Sequence, residues 1–237
     1  MISLITYYRK GIETEYERDY DLLVLIDVYR ATSSMVVLAS KGYTIIRAVE
    51  SVDEALKARG PNSLICGERN GIAPQGFDHG NSPYELNRIG KNDEGKEIIM
   101  TTTNGTKALK AFYNHSENII AASLINLKSV IDYIIKHSFE KILVLCAGTY
   151  ERFSIEDYLC ASLLVHRVHQ KIPVEKTDPI RLALATGERC QTDPAFLEAT
   201  MRQADHARRL QQIGKGYDID FILKQKDGFD IVPKPSL

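Results

Sequence analysis

The segment Leu22-Leu23-Val24-Leu25-Ile26 contains no polar residue and stops at Asp27. A strand of this kind is buried on both faces, as in a parallel sheet covered by helices. Residues 141–146 repeat the pattern and end at Cys146. Between and around these runs, strand-like and helix-like segments alternate. Helices are expected at 31–41 (ended by Gly42), 52–59 (capped by Ser51), 83–89 (after Ser82 with Pro83 in the first turn), 107–113 and 127–137. Strands are expected at 43–49, 63–66, 97–100 and 118–122. Ser154, with Asp157 three residues on, reads as a capping-box-like start to a long helix reaching His169. This alternation predicts an α/β fold, layered α/β/α, with a largely parallel or mixed sheet.

Beyond Pro173 the expected elements are shorter. Helices are expected at 179–185, 194–200 and 203–213, and strands at 221–223 and 229–232, before a free-running tail marked by Pro233 and Pro235. No Pro-, Gly- or Ser-rich linker divides the 237 residues. One compact domain over 1–237 is therefore expected, with two intimately packed subdomains as the alternative.

Thirty basic residues balance thirty-one acidic ones. That gives no excess of positive charge to hold a polyanion, so nucleic acid is not an expected partner. The first residues lack the charged and long apolar regions of a signal peptide, and no stretch approaches ~20 apolar residues, so neither export nor a membrane partner is expected. Cys66, Cys146, Cys160 and Cys190 form no CxxC pair and read as reduced thiols of a cytoplasmic protein. Oligomeric state is left open, a homo-oligomer such as a dimer included.

In open α/β sheets, ligands bind beyond the carboxyl ends of the strands. That rule collects Asp27 and Arg30, then Glu68 and Arg69, then Thr102, Thr103, Asn104 and Thr106, and finally Gly148, Arg152, Ser154, Glu156 and Asp157. The polar loop 67–83, with four glycines and two prolines, adds Asp78, His79 and Asn81. Carboxylates hold hard Mg2+, while arginines and helix N-terminal amides hold phosphoryl oxygens, so the set suits a phosphate with a divalent cation. Each residue also has a structural reading. Asp27 can cap the following helix. Glu68 and Arg69 can pair on the surface, and Asp78 can shape an Asx-turn. The threonines can be ordinary strand residues, and Glu156 and Asp157 can answer the helix dipole.

Two other patterns compete. Cys146 and Arg152 match the C-x5-R spacing of cysteine-dependent phosphatases, but Glu151 between them opposes a bound phosphate. His166 and His169 share a helix face and read as solvent-exposed rather than metal-binding. No GxxxxGK[ST], no G-x-G-x-x-G after the first apolar strand and no G-x-S-x-G is present. Asp27-Val28-Tyr29 lacks the second aspartate of haloacid-dehalogenase phosphatases.

The segments 26–32 (Ile-Asp-Val-Tyr-Arg-Ala-Thr), 67–71 (Gly-Glu-Arg-Asn-Gly), 76–83 (Gly-Phe-Asp-His-Gly-Asn-Ser-Pro), 101–106 (Thr-Thr-Thr-Asn-Gly-Thr), 146–148 (Cys-Ala-Gly), 153–157 (Phe-Ser-Ile-Glu-Asp), 205–210 (Asp-His-Ala-Arg-Arg-Leu) and 230–233 (Asp-Ile-Val-Pro) form an ordered set. In that order and over nearly the whole chain, the sequence resembles the 2-phosphosulfolactate phosphatase (ComB) family. The resemblance implies a cytoplasmic Mg2+-dependent hydrolase converting (2R)-2-phospho-3-sulfolactate to 3-sulfolactate and phosphate, a step of coenzyme M biosynthesis in methanogens. Under it, Asp27, Glu68, Asp157 and His206 are the expected catalytic residues, with Asp27, Glu68 and Asp78 around the metal. Arg30, Arg69, Asn81, Thr103, Asn104, Thr106 and Ser154 would bind substrate, and Arg208 or Arg209 the sulfonate. Tyr29 stands where the family commonly has Leu, adding a hydroxyl beside the expected metal ligand, and His79 stands where a small or aliphatic residue is common. A phosphatase for another small phosphorylated acid and a non-enzymatic phosphometabolite binder are the alternatives.

Overall fold

The computed structural model describes residues 1–43, 46–92 and 95–237. Strand β1 (Ile2–Ile5) is followed by β2 (Leu22–Ile26) and helix α1 (Ala31–Ser40), then β3 (Ile46–Ala48), α2 (Val52–Lys57) and β4 (Ser63–Gly67). Next come α3 (Pro83–Leu86), β5 (Glu97–Thr101), α4 (Gly105–Phe112), β6 (Ile119–Ala122), α5 (Leu127–His137) and β7 (Ile142–Cys146). The carboxyl-terminal third is helical: α6 (Ile155–His169), α7 (Asp178–Thr192), α8 (Pro194–Arg202), α9 (Asp205–Gln212) and α10 (Tyr217–Lys224), closed by β8 (Pro235–Ser236).

The strands form two sheets rather than one. Their orders are β1-β7-β2-β6 and β4-β5-β3-β8, and every pairing is parallel. β2 lies inside the first sheet, which is why it is apolar on both faces; all five of its residues are buried. α1 is buried nearly throughout and supports the fold from inside. Its hydroxyls are spent locally. Thr32 Oγ1 donates to the Asp27 carbonyl (2.8 Å), Ser33 Oγ to that of Val28 (2.8 Å) and Ser34 Oγ to that of Asn81 (2.5 Å). Three polar residues inside a buried helix thus fix the turn that presents Asp27, and anchor the distant 67–83 loop.

The tail differs from the sequence expectation. Residues 229–232 form no strand, and the tail does not run free. The Pro233 carbonyl accepts the Ala121 amide of β6 (2.9 Å), and two residues on, β8 pairs with β3. One extended segment therefore ties the edge of one sheet to the edge of the other. It protects both edges from further pairing. The strand expected at 221–223 is instead part of α10, because Ile219 and Ile222 recur at helical spacing and are buried together. β1 was not expected as a strand. The expected strand 43–49 is observed as β3 over its described residues, with Thr44 and Ile45 outside the described set.

Candidate active site

All the strands run parallel within their sheets, so the carboxyl ends of several deliver loops to one place. The β2–α1 turn brings Asp27, Tyr29 and Arg30, and the loop after β4 brings Glu68, Asn70 and Gly71. The turn after β5 brings Thr102, Thr103 and Asn104, and the β7–α6 loop brings Tyr150. α9 covers them with His206 and Arg209. These groups line a cavity of about 210 Å³. That is below the roughly 300–1,000 Å³ of sites for drug-sized ligands, so it suits a small metabolite. A larger hollow of about 1,030 Å³ opens at the amino-terminal ends of β2 and β6, around Asp21 and Asn118. The chemistry is assigned to the smaller cavity, because there the strand-end carboxylates converge with cations and unpartnered polar atoms.

Glu68 is held firmly. Its two carboxylate oxygens accept the amides of Thr103 and Gly71, both at 2.7 Å. The backbone before it requires glycine: Gly67 has φ +153°, and a Cβ there would collide with the Thr101 carbonyl. Asp27 is 4% exposed, and its Oδ1 accepts the Ala31 amide at 3.4 Å. It therefore helps to cap α1 and faces the cavity as well. Burial pushes its carboxyl up to about 6, opposed by the charge of His206 and the Ala31 amide and reinforced by Glu68 and Glu156. Among the described residues, two in the cavity lining hold buried polar atoms without hydrogen-bond partners: the Thr103 hydroxyl and the Asn81 amide oxygen. Such buried orphans are expensive unless a ligand satisfies them.

His206 Nδ1 lies 3.2 Å from Thr149 Oγ1 and 3.4 Å from Glu156 Oε1, with Glu156 itself buried. These partners engage Nδ1, and the residue lines both the cavity and the adjoining hollow. The Tyr29 ring meets His206 edge-on at 6.2 Å. Its hydroxyl donates to the Met201 carbonyl (3.4 Å), so it does not sit beside Asp27 as the sequence suggested. Arg30 is buried against Asp218, with Nη1 to Oδ2 at 3.0 Å and Nη2 to the Gly71 carbonyl at 2.9 Å. Asp218 also accepts Ser82 Oγ (2.5 Å) and the Tyr84 amide (3.3 Å). No local motif marked Asp218. The only signal was a carboxylate in the first turn of an apolar helix.

Several sequence-selected residues lie outside the cavity lining. Asp78 accepts the Ile65 amide (2.7 Å) and pairs with Arg59 (3.0 Å), which shapes its own loop. Those partners hold its carboxyl below the usual range even though burial pushes the other way. Arg69 is spent on the carbonyls of Glu68 and Glu50 and on Thr101 Oγ1. Thr106 closes a reciprocal turn with Thr102, its hydroxyl donating to the Thr102 carbonyl (2.8 Å). Asp157 sits behind the cavity, accepting the amides of Val28 (2.8 Å) and Gly148 (3.0 Å). It is not part of a capping box, and Ser154 makes no side-chain cap; its Oγ meets Thr149 Oγ1 at 2.7 Å instead. Burial, then Glu156 and Asp27, raise the Asp157 carboxyl well above its usual range.

Arg208 turns back to the Gln203 carbonyl, and with Arg152 and Ser154 it lines an adjoining, more open hollow. His79 bridges Cys66 through its backbone and does not line the cavity. Cys146 is fully buried at the end of β7, and burial pushes its thiol well above the ordinary range, the reverse of what a nucleophilic thiolate needs. The C-x5-R spacing is therefore coincidental.

The donors available for a divalent cation are Asp27, Glu68 and the neutral oxygens of Thr103 and Asn81. Among the described residues, no three His, Cys, Asp or Glu side chains converge as a metal cage. That set fits Mg2+, which is commonly held by one or two carboxylates together with substrate phosphate. Asp218 already balances Arg30, so Arg209 is the arginine of the lining whose charge faces the two cavity carboxylates without a counter-ion among the described residues.

Comparison with known proteins finds relatives over nearly the whole chain. The family model described as 2-phosphosulpholactate phosphatase matches residues 9–236. A protein of Thermotoga petrophila named probable 2-phosphosulfolactate phosphatase is 41% identical over 210 residues, covering 89% of this chain and 87% of that one. A protein of the same name from Caldicellulosiruptor saccharolyticus is 36% identical over 240 aligned positions, covering 98% and 95%. One from Deinococcus radiodurans is 32% identical, covering 85% and 82%. With residues 9–236 matched by the family model and relatives up to 41% identical over 89% of its length, the chain belongs to the 2-phosphosulfolactate phosphatase family.

Proposed function

We propose that the protein is a Mg2+-dependent phosphatase that hydrolyses (2R)-2-phospho-3-sulfolactate to 3-sulfolactate and inorganic phosphate. The observation that carries this is the convergence of Asp27, Glu68, His206, Arg209 and the unpartnered Thr103 and Asn81 oxygens on one small cavity of a family member. Asp27 and Glu68 would hold the cation. When bound, Mg2+ supplies positive charge against the phosphoryl oxygens and so permits approach of the attacking water.

The chain's own groups do the rest. The Thr103 hydroxyl donates to a phosphoryl oxygen, and the Asn104 side-chain NH2, unpartnered among the described residues and oriented by the bond of its Oδ1 to the Tyr150 amide (2.9 Å), does the same. Arg30, neutralised and fixed by Asp218, shapes the cavity wall, and Arg209 receives the sulfonate. Water oxygen bonds to phosphorus as the ester P–O bond breaks, and the water proton leaves with the product phosphate. The released sulfolactate oxygen takes a proton from His206 Nε2, which regains one from solvent.

The test is phosphate release from purified protein with 2-phosphosulfolactate, phospholactate and phosphoglycolate. Preferred turnover of 2-phosphosulfolactate supports the assignment. Preference for a phosphocarboxylate would move the substrate, and tight binding without release would make the protein a metabolite binder.

A further inference from the structure

The mouth of the cavity is bridged by a residue that sequence motifs did not single out. Tyr150 lies in the β7–α6 loop with φ +52°, and Glu151 after it has φ +58°. Asn70, across the opening, is also left-handed at φ +54°. Non-glycine residues held in this region in clusters mark functional loops more often than idle ones. The Tyr150 amide donates to Asn104 Oδ1 (2.9 Å) and its hydroxyl donates to Asn70 Oδ1 (3.3 Å). These bonds carry the half-exposed ring over the cavity, where the Arg209 guanidinium stacks on it at 4.5 Å from the ring centroid.

Arg209 lines the cavity and differs from Arg30, Arg69 and Arg208. Arg30 is paired with Asp218, Arg69 is spent on two carbonyls and a hydroxyl, and Arg208 turns to Gln203. Among the described residues, the Arg209 guanidinium makes no ion pair or hydrogen bond, and the Tyr150 ring is the group that positions its charge. A guanidinium held by a ring face keeps all its N–H groups for an anion.

We infer that Tyr150 is the specificity-determining residue that positions Arg209 to read the second anionic group of the substrate, the sulfonate rather than the phosphate. This rests on the proposed phosphatase function. Tyr150 touches neither the reacting phosphorus nor the cation; it acts through Arg209, so its loss should appear as lost selectivity.

The experiment compares kcat/KM for 2-phosphosulfolactate with kcat/KM for 2-phospholactate, which lacks only the sulfonate. In Tyr150→Ala the ratio should fall about two- to fivefold, the scale of a cation–π contact at an exposed site, mainly through KM for the sulfonated substrate. Tyr150→Phe should keep most of the ratio, since the ring remains. Arg209→Ala should lower the ratio further, and the double variant should match Arg209→Ala, because Tyr150 has nothing left to position. An unchanged ratio in Tyr150→Ala, or a double variant whose losses add, would overturn the inference. If wild-type protein releases phosphate from neither compound, the phosphatase function fails separately. The same variants would then be titrated calorimetrically with 2-phosphosulfolactate and with inorganic phosphate. Selective weakening of the former sustains the role of Tyr150, and equal weakening or no binding by the wild type ends it.

Discussion

Replacing Asp27 by Asn should abolish turnover and at the same time stabilise the metal-free protein. The carboxylate is buried, and burial raises its pKa from the ordinary 3.8 to about 6. The sign follows from linkage. Between the two values the folded chain holds a proton that the unfolded chain has released, so the contribution of Asp27 to stability falls as pH rises and is fully unfavourable above about 6. A shift of about two units corresponds to about 3 kcal/mol at pH 8 and to about half of that at pH 5, where the native carboxyl is still mostly protonated. Asn keeps an oxygen for the Ala31 amide and carries no charge to desolvate. In EDTA the variant should therefore gain about 1.5 kcal/mol at pH 5 and about 3 kcal/mol at pH 8. For a chain of this length that is roughly 6–12 °C in Tm at the higher pH. Urea unfolding and thermal melts at both pH values read it directly. Excess Mg2+ should raise the Tm of the wild type and not of the variant. A variant less stable than wild type at pH 8, or a gain that does not grow with pH, would refute a strained metal-seeking carboxylate at this position.

Asp218→Ala leaves the Arg30 guanidinium buried without its counter-charge, which should cost about 3–5 kcal/mol in denaturant unfolding, with Asp218→Asn intermediate. Cys146→Ala should retain phosphate release, and iodoacetamide should not inactivate the folded protein, because the thiol is buried and protonated; loss of turnover in a folded variant would restore a cysteine mechanism. Gly187→Ala should destabilise by about 1–3 kcal/mol despite better helix propensity, since α7 packs so closely on α6 that a Cβ would strike the Ser162 carbonyl; a melt no lower than wild type would contradict that packing.

The parts of the fold that sequence disclosed are those whose burial is locally written. β2 and β7 are apolar on both faces because each lies between two neighbours, and α5 shows a clean apolar stripe. β1 escaped because a four-residue run near the start carries no turn signal on its amino-terminal side. The Phe-Ile-Leu run at 221–223 suits a strand or a helix, and only the spacing from Ile219 decides between them. The tail escaped because prolines mark loops, whereas here Pro233 and Pro235 contribute carbonyls or register at sheet edges, where a missing N–H costs little.

At the site, residues directly after strand ends were legible: Asp27, Glu68, Thr103 and Asn104 all line the cavity. Within the 67–83 loop, Glu68 and Asn81 line the cavity, whereas Asp78 and Arg69 are spent on neighbouring protein groups, a difference the loop's composition does not show. Asp218 and Tyr150 were invisible because their partners, Arg30 and Arg209, come from distant parts of the chain.

The most direct test is inorganic phosphate release from 2-phosphosulfolactate by the purified protein, first with Mg2+ and then with EDTA. Turnover that requires Mg2+, disappears in EDTA and returns on adding the metal back is the expected result. Full turnover in EDTA, or none from a folded protein with Mg2+ present, would contradict a metal-assisted phosphatase built on Asp27 and Glu68.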